Sequence, residues 1–171
     1  MLPPSIISTD TAKRRKMLEV LEQFRILFKS VRHHYAEIQR QVGIGGVQLW
    51  ALSHIANNPD VKPGELARDM AIHVSTASNL VRDLEKLKLV SRRRQRKDQR
   101  VVMLNATPKG LEVLQQAPQP FVGVLQQALS DLPMANLEVL RIHVGKLLAK
   151  IKVKDAKARS TPLSKILKAL P

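Results

Sequence analysis

The chain has 171 residues, 44% of them hydrophobic, which suits one compact domain with a sizeable core and is too short for two ordinary ones. Lysine and arginine number 29 against 14 acidic residues, and a formal charge of +15 attracts polyanions: nucleic acid first, although an anionic membrane or ribosomal RNA satisfies charge alone. There is no cysteine, which excludes a disulfide framework, a thiolate metal site, a cysteine nucleophile and a thiol redox switch.

Aromatic residues make up only 3%, too few for a platform that stacks single-stranded bases, so duplex is the expected nucleic acid. Met1 to Asp10 lacks a basic start followed by a long apolar stretch, and nowhere do about eighteen apolar residues run together. The expectation is a cytoplasmic protein with no membrane partner.

Met17, Leu21, Phe24, Phe28, Val31, Tyr35 and Ile38 recur at alternating steps of four and three, predicting a long scaffold helix over about 11–41. Gly43, Gly45 and Gly46 interrupt it, and a second helix carries Val47, Trp50, Leu52 and Ile55 until Asn57 to Asp60 stop it. Pro63 opens a third helix of about two turns. A fourth follows from about Ser75 to Lys88, with Ala77, Leu80, Val81, Leu84 and Leu87 on its core face. Two short helices and a tight link make a helix-turn-helix.

Leu89 and Val90, the basic run from Ser91 to Arg100, and Val101 to Leu104 predict a hairpin whose tip carries Arg92, Arg93, Arg94, Arg96, Lys97 and Arg100. Thr107 and Pro108 start a fifth helix that Pro118 and Pro120 break. Helix resumes from about Phe121 to Ser130. Pro133 opens a last one, in which Leu137, Leu140, Val144, Leu147, Leu148 and Ile151 require a partner surface.

At 100° per residue, burying Ala77, Leu80, Val81 and Leu84 turns Ser75, Asn79, Arg82 and Lys86 outward. Asn pairs with adenine and Arg with guanine in the major groove, and a cationic hairpin suits the narrow minor groove beside it. The competing reading of the row is a solvated helix face with Ser75 as a cap. Asp98, amid cations, orients Arg100 or Arg82 in the wing.

Pro63-Gly64-Glu65-Leu66-Ala67, Ser75-Thr76-Ala77-Ser78-Asn79-Leu80-Val81, Lys97-Asp98-Gln99-Arg100 and Thr107-Pro108-Lys109-Gly110 occur in that order. The chain thereby resembles the multiple antibiotic resistance regulator (MarR) family from about Val31 to Ile151. The most specific element is the wing's Asp98-x-Arg100, set between the recognition helix and the Thr107-x-x-Gly110 helix start. The resemblance implies a mainly α fold with a small β-hairpin wing, a winged helix-turn-helix flanked by N- and C-terminal dimerisation helices. It divides the chain into a scaffold and dimerisation helix (1–42), the DNA-binding region (43–107), C-terminal helices completing dimerisation (108–152) and a basic, mobile tail (153–171), intertwined as one domain.

The implied function is a homodimeric repressor on a pseudo-palindromic operator in double-stranded DNA, released by a small aromatic or phenolic effector. Its DNA-contacting set is Ser75, Thr76, Ser78, Asn79, Arg82, Lys86, Arg94, Arg96, Lys97 and Arg100. Lys62 and His73 depart from the family by standing where good helix caps are usual.

Arg32, Tyr35, Trp50 and His54 are effector-pocket candidates, a cation for a carboxylate and rings for an aromatic ligand, against a competing role as core or dimer contacts. The five histidines do not make a metal site by spacing, since His33 and His34 are adjacent and His54, His73 and His143 form no evident cluster. No cofactor is expected. No nucleotide loop, catalytic triad or converging carboxylate pair is present, so the expectation is not an enzyme. The alternative function is a sequence-nonspecific nucleoid- or RNA-binding protein.

Overall fold

The computed structural model describes residues 11–94, 101–152, 155, 158, 161–163 and 166. Free of proline and glycine, α1 (Thr11–Val42) runs unbroken for 32 residues, about 48 Å at 1.5 Å per residue. Its C-terminal third packs on α2 (Gly46–Asn57), with Val31, His34 and Ile38 buried. Tyr35 lies against Gly46, where an added Cβ would stand 2.2 Å from the ring, so this helix contact requires glycine.

The third helix, α3 (Pro63–Asp69), and α4 (Val74–Lys86) form the helix-turn-helix. Each ends in the same hydrogen-bonded reversal: Ile72 N–H donates to the Ala67 carbonyl and Leu89 N–H to the Leu84 carbonyl, both at 2.9 Å. Ala71 (φ +52°) and Lys88 (φ +60°) occupy the left-handed position usually given to glycine. Without a glycine to mark the end, the sequence pattern carries the fourth helix on to Lys88. The helix stops at Lys86, and Leu87, expected in the core, is exposed.

Strand β1 (Val90–Arg94) pairs antiparallel with β2 (Val102–Ala106), Arg92 opposite Leu104. A bridge from Val61 to Leu104 attaches the hairpin to the turn before α3. Next, α5 (Pro108–Gln116) is capped by Thr107, whose hydroxyl accepts from Gly110 N–H at 3.1 Å and donates to the Lys88 carbonyl at 2.7 Å. A Cβ on Gly110 would meet the Leu89 carbonyl oxygen at 2.2 Å, so α5 can approach the α4–β1 junction only here. The interruption at Pro118 and Pro120 is present, but α6 (Val124–Asp131) begins three residues later than expected, after Gly123; α7 (Met134–Lys150) follows.

The core gathers Ile38, Leu49, Leu52, Ile55, Leu66, Val81, Leu84 and Leu104 from α1 to β2. Among the described residues it does not extend over the whole length. Residues 11–30 include no buried side chain, and α6 and α7 have none either. No helix among the described residues is long and apolar enough to cross a membrane.

Candidate nucleic-acid interface

Ala77, Leu80, Val81 and Leu84 are buried along one side of α4, fixing its rotation, and Ser75, Asn79, Arg82 and Lys86 lie on the other. Ser75, Asn79, Arg82 and Lys86 are all exposed, while the half-buried Thr76 and Ser78 occupy the flanks. Ser75 does not cap the helix: the N-cap is His73, with no side-chain cap bond, leaving the first-turn N–H groups available to acceptors. The start of α3 is firmer than Lys62 alone would make it, because Glu65 accepts from Lys62 N–H at 2.9 Å.

One guanidinium nitrogen of Arg82 donates to Asn79 Oδ1 at 2.7 Å. The two side chains that present hydrogen-bonding groups outward are thus held as a unit one turn apart. Val74, exposed at 58% at the first turn, escapes a pattern reading that looks for polar residues; its methyls suit a thymine methyl. Within α4, Arg82 and Lys86 are balanced by Asp83 and Glu85, and Lys86 Nζ lies 3.9 Å from Asp83. The helix therefore offers shape and hydrogen bonds more than net charge.

The positive charge next to α4 comes from the hairpin. Arg92 and Arg93, expected at its tip, belong to β1 near its base and are committed there: Arg92 Nε lies 2.8 Å from Glu85 of α4, and Arg93 lies 3.3 Å from Asp60. Asp60 Oδ1 also accepts from Asn105 Nδ2 at 2.7 Å, while Asp60 N–H donates to Asn105 Oδ1 at 3.2 Å. These contacts hold Asp60 at φ +64° and its carboxyl below the usual aspartate range, the Asn105 bond foremost and Arg93 beside it. Arg94, at the end of β1, is exposed. Arg96, Lys97, Asp98 and Arg100 lie outside the described residues; the described partner of Arg82 is Asn79.

The effector candidates differ in setting. Arg32 is exposed; Tyr35 packs on Gly46, its hydroxyl near Gly123; burial pushes that phenol upward in pKa. Trp50 is half-buried against the core, and His54 Nε2 lies 3.3 Å from Asp69 Oδ2. His34 is buried, its Nε2 donating to the Pro120 carbonyl at 3.0 Å, which ties α1 to the loop before α6.

A MarR family model matches residues 42–101, the span from the last residue of α1 to the residue before β2. The chain is 31% identical over 128 residues to the uncharacterized HTH-type transcriptional regulator YsmB of Bacillus subtilis (strain 168), covering 69% of this chain and 88% of that protein. It is 26% identical over 94 residues to the HTH-type transcriptional repressor MdtR of the same organism, 55% of this chain and 61% of the repressor's length. In structure it is similar to the YusO protein of Bacillus subtilis, with a TM-score of 0.53 at 21% identity, covering 83% of this chain and all of that one. Its helix-turn-helix and hairpin, and its likeness to YsmB over most of that protein's length, make this chain a member of the MarR family of DNA-binding transcriptional regulators.

Proposed function

We propose that the chain is a sequence-specific repressor that binds double-stranded DNA as a homodimer on a pseudo-palindromic operator. The observation that carries this reading is the outward Asn79–Arg82 unit on α4, beside a hairpin fastened to the same helix by Arg92 and Glu85. A solvated helix face needs no such buttress. In the proposed complex α4 enters the major groove by its first turns, with Val74, Ser75, Thr76, Ser78, Asn79 and Arg82 at base edges and backbone and Lys86 further along. Arg94, Arg96, Lys97 and Arg100 carry the wing into the adjacent minor groove.

Homodimerisation is supported by apolar side chains that the protomer leaves in water. Ile26 (60%), Val139 (55%), Phe28, Leu147 and Leu148 are exposed on α1 and α7, the helices that the division into 1–42, 43–107, 108–152 and 153–171 assigns to pairing. Two copies then set their α4 helices about 34 to 36 Å apart, one turn of duplex. The effector is left out of the proposal: Tyr35 and Trp50 pack within the protomer, and Arg32 is exposed. Selection from a randomised duplex pool tests the reading: a recovered palindromic site bound roughly a thousandfold more tightly than random duplex at the same salt is expected. Equal affinity favours the nonspecific nucleoid or RNA-binding alternative.

A further inference from the structure

The charge surplus is distributed unevenly. Segments 13–16, 92–100 and 146–168 carry 18 of the 29 cations and 2 of the 14 acidic residues, and the rest of the chain is close to neutral. The wing accounts for one of these segments. The described cations of another, Lys146, Lys150 and Lys152, lie at or just past the C-terminal end of α7, where the helix dipole favours positive charge and no ligand is needed to explain them.

Lys13, Arg14, Arg15 and Lys16 are the opposite case. They occupy the first turns of α1, the positive end of its dipole, with no acidic residue in the first turn. Lys16 pairs with Glu19 at 2.7 Å, but among the described residues Lys13, Arg14 and Arg15 have no ion-pair partner. Four adjacent cations added to the helix's own partial positive charge raise the free energy of the unliganded state, and an anion relieves it. Every residue from Thr11 to Gln23 is exposed, and no described residue packed against these turns supplies that anion; Asp10, just before the helix, lies outside the described residues and would offset one of the four charges. Lys16 precedes Val31, the first buried residue, by about 22 Å of helix, so the cluster stands off the core that positions α4.

We propose that these first turns of α1 form a second phosphate-binding surface, through which Lys13, Arg14 and Arg15 grip the backbone of duplex DNA outside the bases that α4 addresses. The proposal rests on the DNA-binding reading above. Backbone contact explains why the residues are all cations, with neither aromatic rings for stacking nor Asn or Gln for base edges among them. Flanking duplex and a second duplex present the same phosphates.

The test uses the full chain, the variant Lys13→Gln/Arg14→Gln/Arg15→Gln, and random-sequence duplexes of about 20 and about 60 base pairs over a salt series. The variant should melt no lower than wild type, because these side chains stand away from the core. Its log K against log salt slope should be shallower by about 2 to 3 units. A loss confined to the longer duplex identifies flanking DNA; loss of a second labelled duplex from the complex on the shorter one identifies bridging; both support the proposal. Unchanged slopes and unchanged capture overturn it, as does a variant that loses only binding to phosphatidylglycerol vesicles. The wild-type ratio of selected to random duplex tests the regulator reading separately, and the variant should leave that ratio unchanged.

Discussion

Asp60 and Asn105 exchange two hydrogen bonds across 45 residues of chain, the Asp60 N–H donating to the Asn105 amide oxygen and the Asn105 amide donating to the Asp60 carboxylate, and Arg93 closes on the same carboxylate from β1. The turn before α3 and the root of the wing therefore move together. Because the folded pKa of Asp60 lies below its ordinary value, the contribution of this clamp is complete above the ordinary aspartate range and lost as pH falls through the depressed value. The melting temperature of wild type should thus fall faster than that of Asp60→Asn as pH drops below about 4. Parallel curves would show that the carboxylate charge does not matter to the clamp.

Arg82 is expected to read a base and Asn79 to hold it. Arg82→Ala should relax preference at one base pair of each half-site by about 1 to 3 kcal/mol, with binding to random duplex reduced much less. Asn79→Ala should weaken preference at that same base pair, since it removes the acceptor 2.7 Å from the guanidinium. Binding scans across single-base operator variants decide this. Loss at a different base pair would mean that Asn79 reads its own base.

The junction of α4, β1 and α5 rests on short-range geometry. Thr107→Ala should cost about 1 to 2 kcal/mol in denaturant unfolding, removing the helix cap and the bond to the Lys88 carbonyl together, and Thr107→Ser should keep most of it. Lys88→Gly should stabilise by about 1 kcal/mol, because glycine adopts φ +60° without the Cβ penalty. A destabilised Lys88→Gly would mean that the lysine side chain makes a contact worth more than the backbone strain.

The helices and the outward row of α4 are legible in the sequence because each depends on local periodicity: four buried residues at three- and four-residue steps leave Ser75, Asn79, Arg82 and Lys86 on the far side. What is not legible depends on partners distant in sequence. Arg92 and Arg93 look like part of a charged tip, since a run of arginines hides a strand whose register is set by Val90 opposite Ala106. Asp60 looks only like a helix stop, and its role as wing anchor has no local signature. Leu87 is misplaced by the pattern because a lysine, not a glycine, takes the left-handed turn that ends α4.

The apolar stripe of α1 is likewise visible in sequence, but no described element of the protomer buries its first two-thirds. Phe24 and Phe28 stack with centroids 5.9 Å apart, Phe28 is 46% exposed, and Leu147 and Leu148 of α7 are left open too. A charge placed in such a seam must be desolvated for the dimer to form. Phe28→Glu should therefore weaken association at least about tenfold to a hundredfold, the value of a buried Phe side chain alone, with the helix-turn-helix still folded. Sedimentation velocity across a concentration series reads the shift to monomer. Operator affinity should fall with it, because one protomer retains only half of the two-fold contacts, whereas binding per α4 to a half-site should persist. A Phe28→Glu protein that stays dimeric would move the pairing surface away from the N-terminal two-thirds of α1.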